Sequence, residues 1–121
     1  MKLSNTAGNR AWLILLLASF LPETLFPQTQ KYQFEHLTIE DGLSQNSVRS
    51  VSQDHLGFMW FGTDDGLNKF DGYRFTQYKN RHGDATSISN NTINVIYEDQ
   101  SGTLWIGSNG GLKRFDRRTE T

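Results

Sequence analysis

Two stretches of this chain say the same thing. Leu43–Asp71 reads LSQNSVRSVSQDHLGFMWFGTDDGLNKFD and Ile88–Asp116 reads ISNNTINVIYEDQSGTLWIGSNGGLKRFD, 45 residues further on and with no gap between the copies. Trp60 falls on Trp105, Gly62 on Gly107, Gly66 on Gly111, Leu67 on Leu112 and Phe70 on Phe115. Asp54 and Gly57 fall on Asp99 and Gly102. A fixed period of about 40–50 residues is the length of one four-stranded propeller blade. A single blade cannot bury its own apolar faces, so a chain with two copies implies neighbours on either side. The expected fold is all-β: propeller blades of four antiparallel strands, about two of them, in an incomplete ring. A ring takes about 4–8 blades. The 121 residues therefore read as the N-terminal piece of a longer protein, one not expected to fold stably alone.

Each copy divides by the same signals. Ser47–Gln53 and Thr92–Glu98 have the β-branched and aromatic content of a first strand. In the second copy the alternation puts Ile93, Val95 and Tyr97 on one face and Ile96 on the other. Asp54-His-Leu-Gly57 and Asp99-Gln-Ser-Gly102 have Asp first and Gly fourth, the type I turn preference. Phe58–Gly62 and Thr103–Gly107 form a second strand centred on Trp60 and Trp105. An indole buries on the order of 200 Å2 and its N–H requires a partner, so one per copy suits the wedge between sheets. Gly62 and Gly107 leave room for a close approach or a bulge. Asp64-Asp-Gly66 and Asn109-Gly-Gly111 are hairpin turns, with positive φ expected over these residues. Gly66–Phe70 and Gly111–Phe115 make a third strand whose apolar plugs are Leu67, Phe70, Leu112 and Phe115. Tyr73–Tyr78 is a fourth. Blade 1 spans residues 43–80, and a truncated blade 2 spans 88–121.

The chain begins with two segments of another kind. Lys2 and Arg10 precede Ala11–Leu21, a run of 11 apolar or small residues ended by Pro22 and Glu23. That is the build of a secretory leader, assigned to residues 1–28. It is short of the about 20 residues of a membrane span. Residues 31–42 follow as a lead-in. Within them Tyr32-Gln-Phe34-Glu-His-Leu37 matches Tyr73-Arg-Phe75-Thr-Gln-Tyr78, so Lys31–Leu37 reads as an outer strand with no blade before it. It is expected to close the ring by pairing with a last blade.

Composition removes several function classes. Twelve basic and 13 acidic residues give a net charge of −1, far from the basic footprint of a nucleic-acid binder. There are no cysteines, hence no disulfide, thiolate ligand or cysteine nucleophile. His36, His55 and His82 have no ligand spacing. Asp64 and Asp65 lack the twelve-residue loop and closing Glu of a calcium site. Asn90-Asn-Thr92 matches a glycosylation sequon and reads as a chance match. No catalytic residue, metal site or cofactor is expected in this segment. Trp60 and Trp105 could stack on sugar rings, but their recurrence speaks for core packing. Tyr78, His82 and Phe58 are less constrained, and the ligand-binding residues stay open.

Three stretches carry a family resemblance: Gly42-Leu-Ser-Gln-Asn-Ser-Val48, Asp54–Thr63 and Asp65-Gly-Leu-Asn-Lys-Phe-Asp-Gly72. Together they resemble the two-component regulator propeller repeat. The second copy departs at Ser108 for Thr63, Gly110 for Asp65 and Arg117 for Gly72. The resemblance covers about Tyr32 to Thr121. It implies the periplasmic ligand-sensing propeller of an inner-membrane, hybrid two-component histidine kinase. Such proteins commonly detect oligosaccharides and control transcription by phosphorelay. It further implies a homodimer in the full-length protein and membrane contact only through downstream segments. Two alternatives stand beside it: an exported propeller enzyme (glycan hydrolase or lyase), and the same sensor fronting a diguanylate cyclase. An enzyme of the first kind needs paired carboxylates about 5–10 Å apart, whereas most carboxylates here sit in repeated turns.

Overall fold

The computed structural model describes residues 29–121, so the leader at 1–28 lies outside the described residues. Val48–Gln53 (β1), Met59–Thr63 (β2), Gly66–Phe70 (β3) and Phe75–Tyr78 (β4) form one antiparallel sheet in chain order. Ile93–Glu98 (β5), Leu104–Ser108 (β6) and Gly111–Phe115 (β7) form a second. Each strand of the second sheet starts and stops 45 residues after its counterpart. The described residues are all-β as the repeat dictates; the one helical piece among them is a 3-10 turn, Ile39–Asp41.

Several boundaries shift from the sequence reading. The second strand of each copy runs one residue later, ending on Thr63 and Ser108, because those residues pair with Gly66 and Gly111 to close the hairpins. The fourth strand starts at Phe75, not Tyr73. Asp71 Oδ1 accepts the N–H groups of Tyr73 and Arg74 at 2.8 and 2.9 Å, which holds those residues in the turn and leaves Tyr73 exposed. In the hairpins the positive φ falls on Gly66 and Gly111 alone; Asp64, Asp65, Asn109 and Gly110 do not adopt it.

The first strands carry a correction of more consequence. Register slips between Val48 and Ser50, and again between Ile93 and Val95. A bulge inserts an extra residue and reverses the alternation beyond it. Ile93 and Ile96 therefore lie on one buried face, and Val95 and Tyr97 on the other. Strict period-2 counting had divided them wrongly.

The sheets meet along their first strands. β5 packs against β1 and β2, and Ile96 N–H donates to Ser50 Oγ at 3.1 Å. Further out the sheets diverge, and aromatic rings fill the gap. The core is one cluster: Trp60, Leu67, Ile88, Ile93, Ile96, Leu104, Ile106 and Phe115, with Phe58 and Tyr78 against it. This is a blade-on-blade wedge, with its apolar side chains covered on the two facing sides.

Residues 29–38 form no strand in this chain, so Lys31–Leu37 has no partner here. The chain becomes regular at Thr38. Its side chain accepts from Glu40 N–H while Asp41 reaches back to the Thr38 N–H, a complete capping box.

Candidate functional site

The recurring Asp-x-x-Gly-x-x-Trp is one hydrogen-bonded unit. Asp54 Oδ1 accepts the N–H groups of Leu56 and Phe58, each at 3.0 Å, and Oδ2 accepts Trp60 Nε1–H at 2.8 Å. Gly57 N–H closes the turn onto Asp54 O at 2.9 Å. Asp99 repeats this with Ser101, Thr103 and Trp105, the indole bond being 2.9 Å, and Gly102 closes the turn like Gly57. The carboxylate so fixes the turn and the indole together. Burial raises the Asp54 pKa, but the bonds from Trp60, Arg117 and Phe58 outweigh it and hold the carboxyl below the ordinary range. Bonds from Ser101, Trp105 and Thr103 bring Asp99 to about 2. Sequence reasoning found the need for an indole partner without naming it. The signal was there: an Asp six residues before the Trp in both copies.

Trp60 lies in the joint between the blades. Its ring stacks on Tyr78 at 6.0 Å and meets Phe115 edge-on at 5.0 Å. Gly62 is the close approach. A Cβ there would lie 2.6 Å from Ile93 Cγ2, so any side chain would push the second blade away. Gly107 is crowded by Val95 of its own blade instead, at 2.4 Å. Leu67 is buried in the joint, while Phe70 is half-buried beside Phe75. Leu112, expected as a plug, is 70% exposed, because no sheet among the described residues stands against that side of blade 2. Trp105 is half-buried for the same reason.

Polar contacts lock the rim of the joint where the Asp turns lie. Arg117, the residue in place of Gly72, reaches back to Asp54 Oδ2 at 2.6 Å and to Glu98 Oε2 at 3.4 Å. Glu98 also accepts His55 N–H at 3.0 Å and pairs with the His55 ring. Arg117 is thus a cross-blade tie.

The opposite rim carries the β2–β3 and β6–β7 turns and the long loop from β4 to β5. Gly66 N–H bonds Asn91 O at 2.7 Å across it. Asp64 pairs with Arg49, and Asp65 takes Lys79 Nζ at 2.6 Å. These acids are engaged by cations. Within this rim lies an open cleft of about 690 Å3 lined by Arg81, His82, Asp84, Leu112 and Lys113, among others. Arg81 is turned onto Asp84 at 2.7 Å, and Lys113 Nζ onto the carbonyls of Ala85 and Ser87. Hydrogen bonds from Thr86, helped by Arg81, hold Asp84 at about 2. His82 is exposed in this cleft. Tyr78 is in the joint, and Phe58 lies under Lys69 Nζ at 4.6 Å. His36, His55 and His82 are not brought together, and among the described residues no cluster of metal-ligating side chains forms. No helix there is long and apolar enough to cross a membrane.

Comparison with known proteins adds three findings. The two-component regulator propeller model matches residues 42–65 and 87–110. Histidine kinase P4 of Formosa agariphila is 49% identical over 74 residues, 61% of this chain and 5% of that protein. The extracellular domain assigned to the hybrid two component system BT3049 of B. thetaiotaomicron is 40% identical, with a TM-score of 0.68 over 75% of this chain and 13% of that one. The corresponding domain of BT4673 is 34% identical, with a TM-score of 0.58 over 74% and 13%. The chain spans a small part of each of these relatives.

Proposed function

From the premise that this chain belongs, through its two repeats, to the two-component regulator propeller family, we propose that it is part of an exported ligand sensor. The sensor reports to a histidine kinase in the same longer polypeptide. One observation supports this most: two in-register repeats build successive blades, like the extracellular domain of a hybrid two component system at 40% identity. The ligand is an oligosaccharide, bound on propeller rims rather than in the joints, whose space is taken by Trp60, Tyr78 and Phe115. Binding favours one arrangement of a homodimer over another, and the kinase passes the bias by phosphorelay to transcription.

The carboxylates give an enzyme reading little support. Asp54, Asp71, Asp99 and Asp116 each accept backbone N–H groups of their own turns, which is scaffold chemistry. The test is calorimetric titration of the whole exported region with a panel of neutral and charged oligosaccharides, followed by phosphotransfer assays on the intact protein. Saturable binding of one saccharide class that changes phosphotransfer is expected. Turnover of the saccharide, or no binding across the panel, overturns the reading.

A further inference from the structure

The first strand of each blade has a polar residue at its bulge. Register slips between Val48 and Ser50 and between Ile93 and Val95, which leaves Arg49 and Asn94 as the extra residues. Both side chains bond the hairpin of their own blade, 15 residues on. Arg49 Nε–H donates to Asp64 Oδ1, and Asn94 Nδ2–H donates to Asn109 Oδ1 at 2.8 Å. Bulges re-aim a side chain and are over-represented beside active sites. The scaffold under the two pairs is constant: the same bulge, the same turn bonds from Thr63 or Ser108, and Gly66 or Gly111 at positive φ. Only the paired side chains differ, Arg and Asp in one blade, Asn and Asn in the other.

These pairs lie at the inner edge of one rim. β1 and β5 are the strands along which the sheets meet, so they stand nearest the axis about which the blades turn. The β2–β3 and β6–β7 hairpins and the long β4–β5 loop share this rim. In repeat arrays insertions map to loops on one face, commonly the binding face. The other rim is closed by Asp54, His55, Glu98 and Arg117, which bond one another across the joint.

Each pair spends one donor and one acceptor on its own brace. Among the described residues the Arg49 Nη groups and Asp64 Oδ2 make no other hydrogen bond, nor do Asn94 Oδ1 and Asn109 Nδ2. Arg49, Asn94 and Asn109 are exposed and Asp64 is half-buried. A sugar hydroxyl both donates and accepts, so an unspent donor beside an unspent acceptor is its complement. The four side chains carry no net charge, and an anionic sugar would meet the Asp64 carboxylate.

We propose that Arg49–Asp64 and Asn94–Asn109 are ligand contacts, neighbouring hydroxyl-reading positions for a neutral oligosaccharide at the axial edge of this rim. The backbone is the same in each blade, and the exchange of Arg and Asp for Asn and Asn makes the reading differ from blade to blade. This rests on the sensor reading and assigns it a rim, residues and a charge class.

The test is calorimetric titration of the whole exported region with neutral oligosaccharides of glucose, galactose, mannose and xylose, beside uronate-containing and sulfated ones. A neutral saccharide is expected to bind. Arg49→Ala and Asn94→Ala should each weaken it by about tenfold, whereas Gln100→Ala, in the Asp99 turn of the other rim, should not. A lost brace also loosens a hairpin, so the deciding variant is Asn94→Arg with Asn109→Asp. It installs the blade 1 pair in blade 2 and keeps a brace. Its Tm should hold while affinity still falls about tenfold. If that exchange lowers Tm, Arg49→Lys, which keeps the cation and loses the guanidinium fork, is read for the same fall. Unchanged binding of the neutral saccharide in the variant so read overturns the inference and leaves the sensor reading standing. Binding of charged saccharides alone does the same. No binding across the panel overturns both.

Discussion

Trp60 and Trp105 hold the same place in the same motif, yet Trp60 is 1% exposed and Trp105 only half-buried. The inversion runs through both blades. On the side of blade 2 that faces blade 1, Leu104, Ile106, Ile93 and Ile96 are buried. Their equivalents in blade 1 are Met59, Phe61, Val48 and Val51, and these are half-buried or exposed. On the other side the roles reverse: Ser50 bonds the neighbouring strand, whereas Val95 in its place is open. Equal sequence has unequal burial because, of the four faces of the two described sheets, only the two that meet have a neighbour. In a tandem repeat, burial belongs to the joint rather than to the residue.

The sharpest test of that comparison removes both indoles in turn. In the protein with its complete ring, Trp60→Ala and Trp105→Ala should each cost about 3–5 kcal/mol, read from denaturant midpoints. A clearly cheaper Trp105→Ala would mean the blades differ intrinsically. Next in size, Gly62→Ala should cost about 1–3 kcal/mol through overpacking against Ile93. Its combination with Ile93→Ala, which removes the offending methyl, should cost less than the sum of the two. Simple additivity would show that the close approach is not felt.

The Asp turns should separate by their neighbours. Asp54→Asn should cost about 1–3 kcal/mol, since Arg117 and the indole lose their shared acceptor. Asp99→Asn, with no such guanidinium, should cost less. Both carboxyls are depressed when folded, so the stability they confer is complete above about pH 4, the ordinary Asp range. It is lost as pH falls toward about 2, where Asp99 titrates. Asn at both positions should flatten the acid limb of a stability–pH curve; an unchanged limb would assign acid sensitivity elsewhere. The smallest effect is expected at the hairpins. Thr63 and Ser108 hydroxyls make the same pair of turn bonds, to Asp65 N–H and Gly66 O and to Gly110 N–H and Gly111 O. Ser108→Thr should therefore stay within about 0.5 kcal/mol.

Periodicity made the strands, turns and wedge tryptophans legible, because each depends on residues close in sequence. What it hid depends on a shift or on distance. The bulges at β1 and β5 have no residue signature here, since Arg49 and Asn94 are ordinary strand residues, so the faces of β5 were misassigned. The Asp54–Arg117 tie joins residues 63 apart and is visible only once the blades are docked. Leu112 read as core because its counterpart Leu67 is core, and nothing local distinguishes a covered face from an open one. The rim cleft at Arg81–Asp84 falls in the loop from β4 to β5, which has no copy to compare.

Asp54 is held to account by three clients at once: its own turn, an indole six residues on, and a guanidinium from the next sheet. Drift between duplicated copies should therefore spare this position. A gene that grows by tandem duplication carries its least negotiable letter at the place where two copies must shake hands.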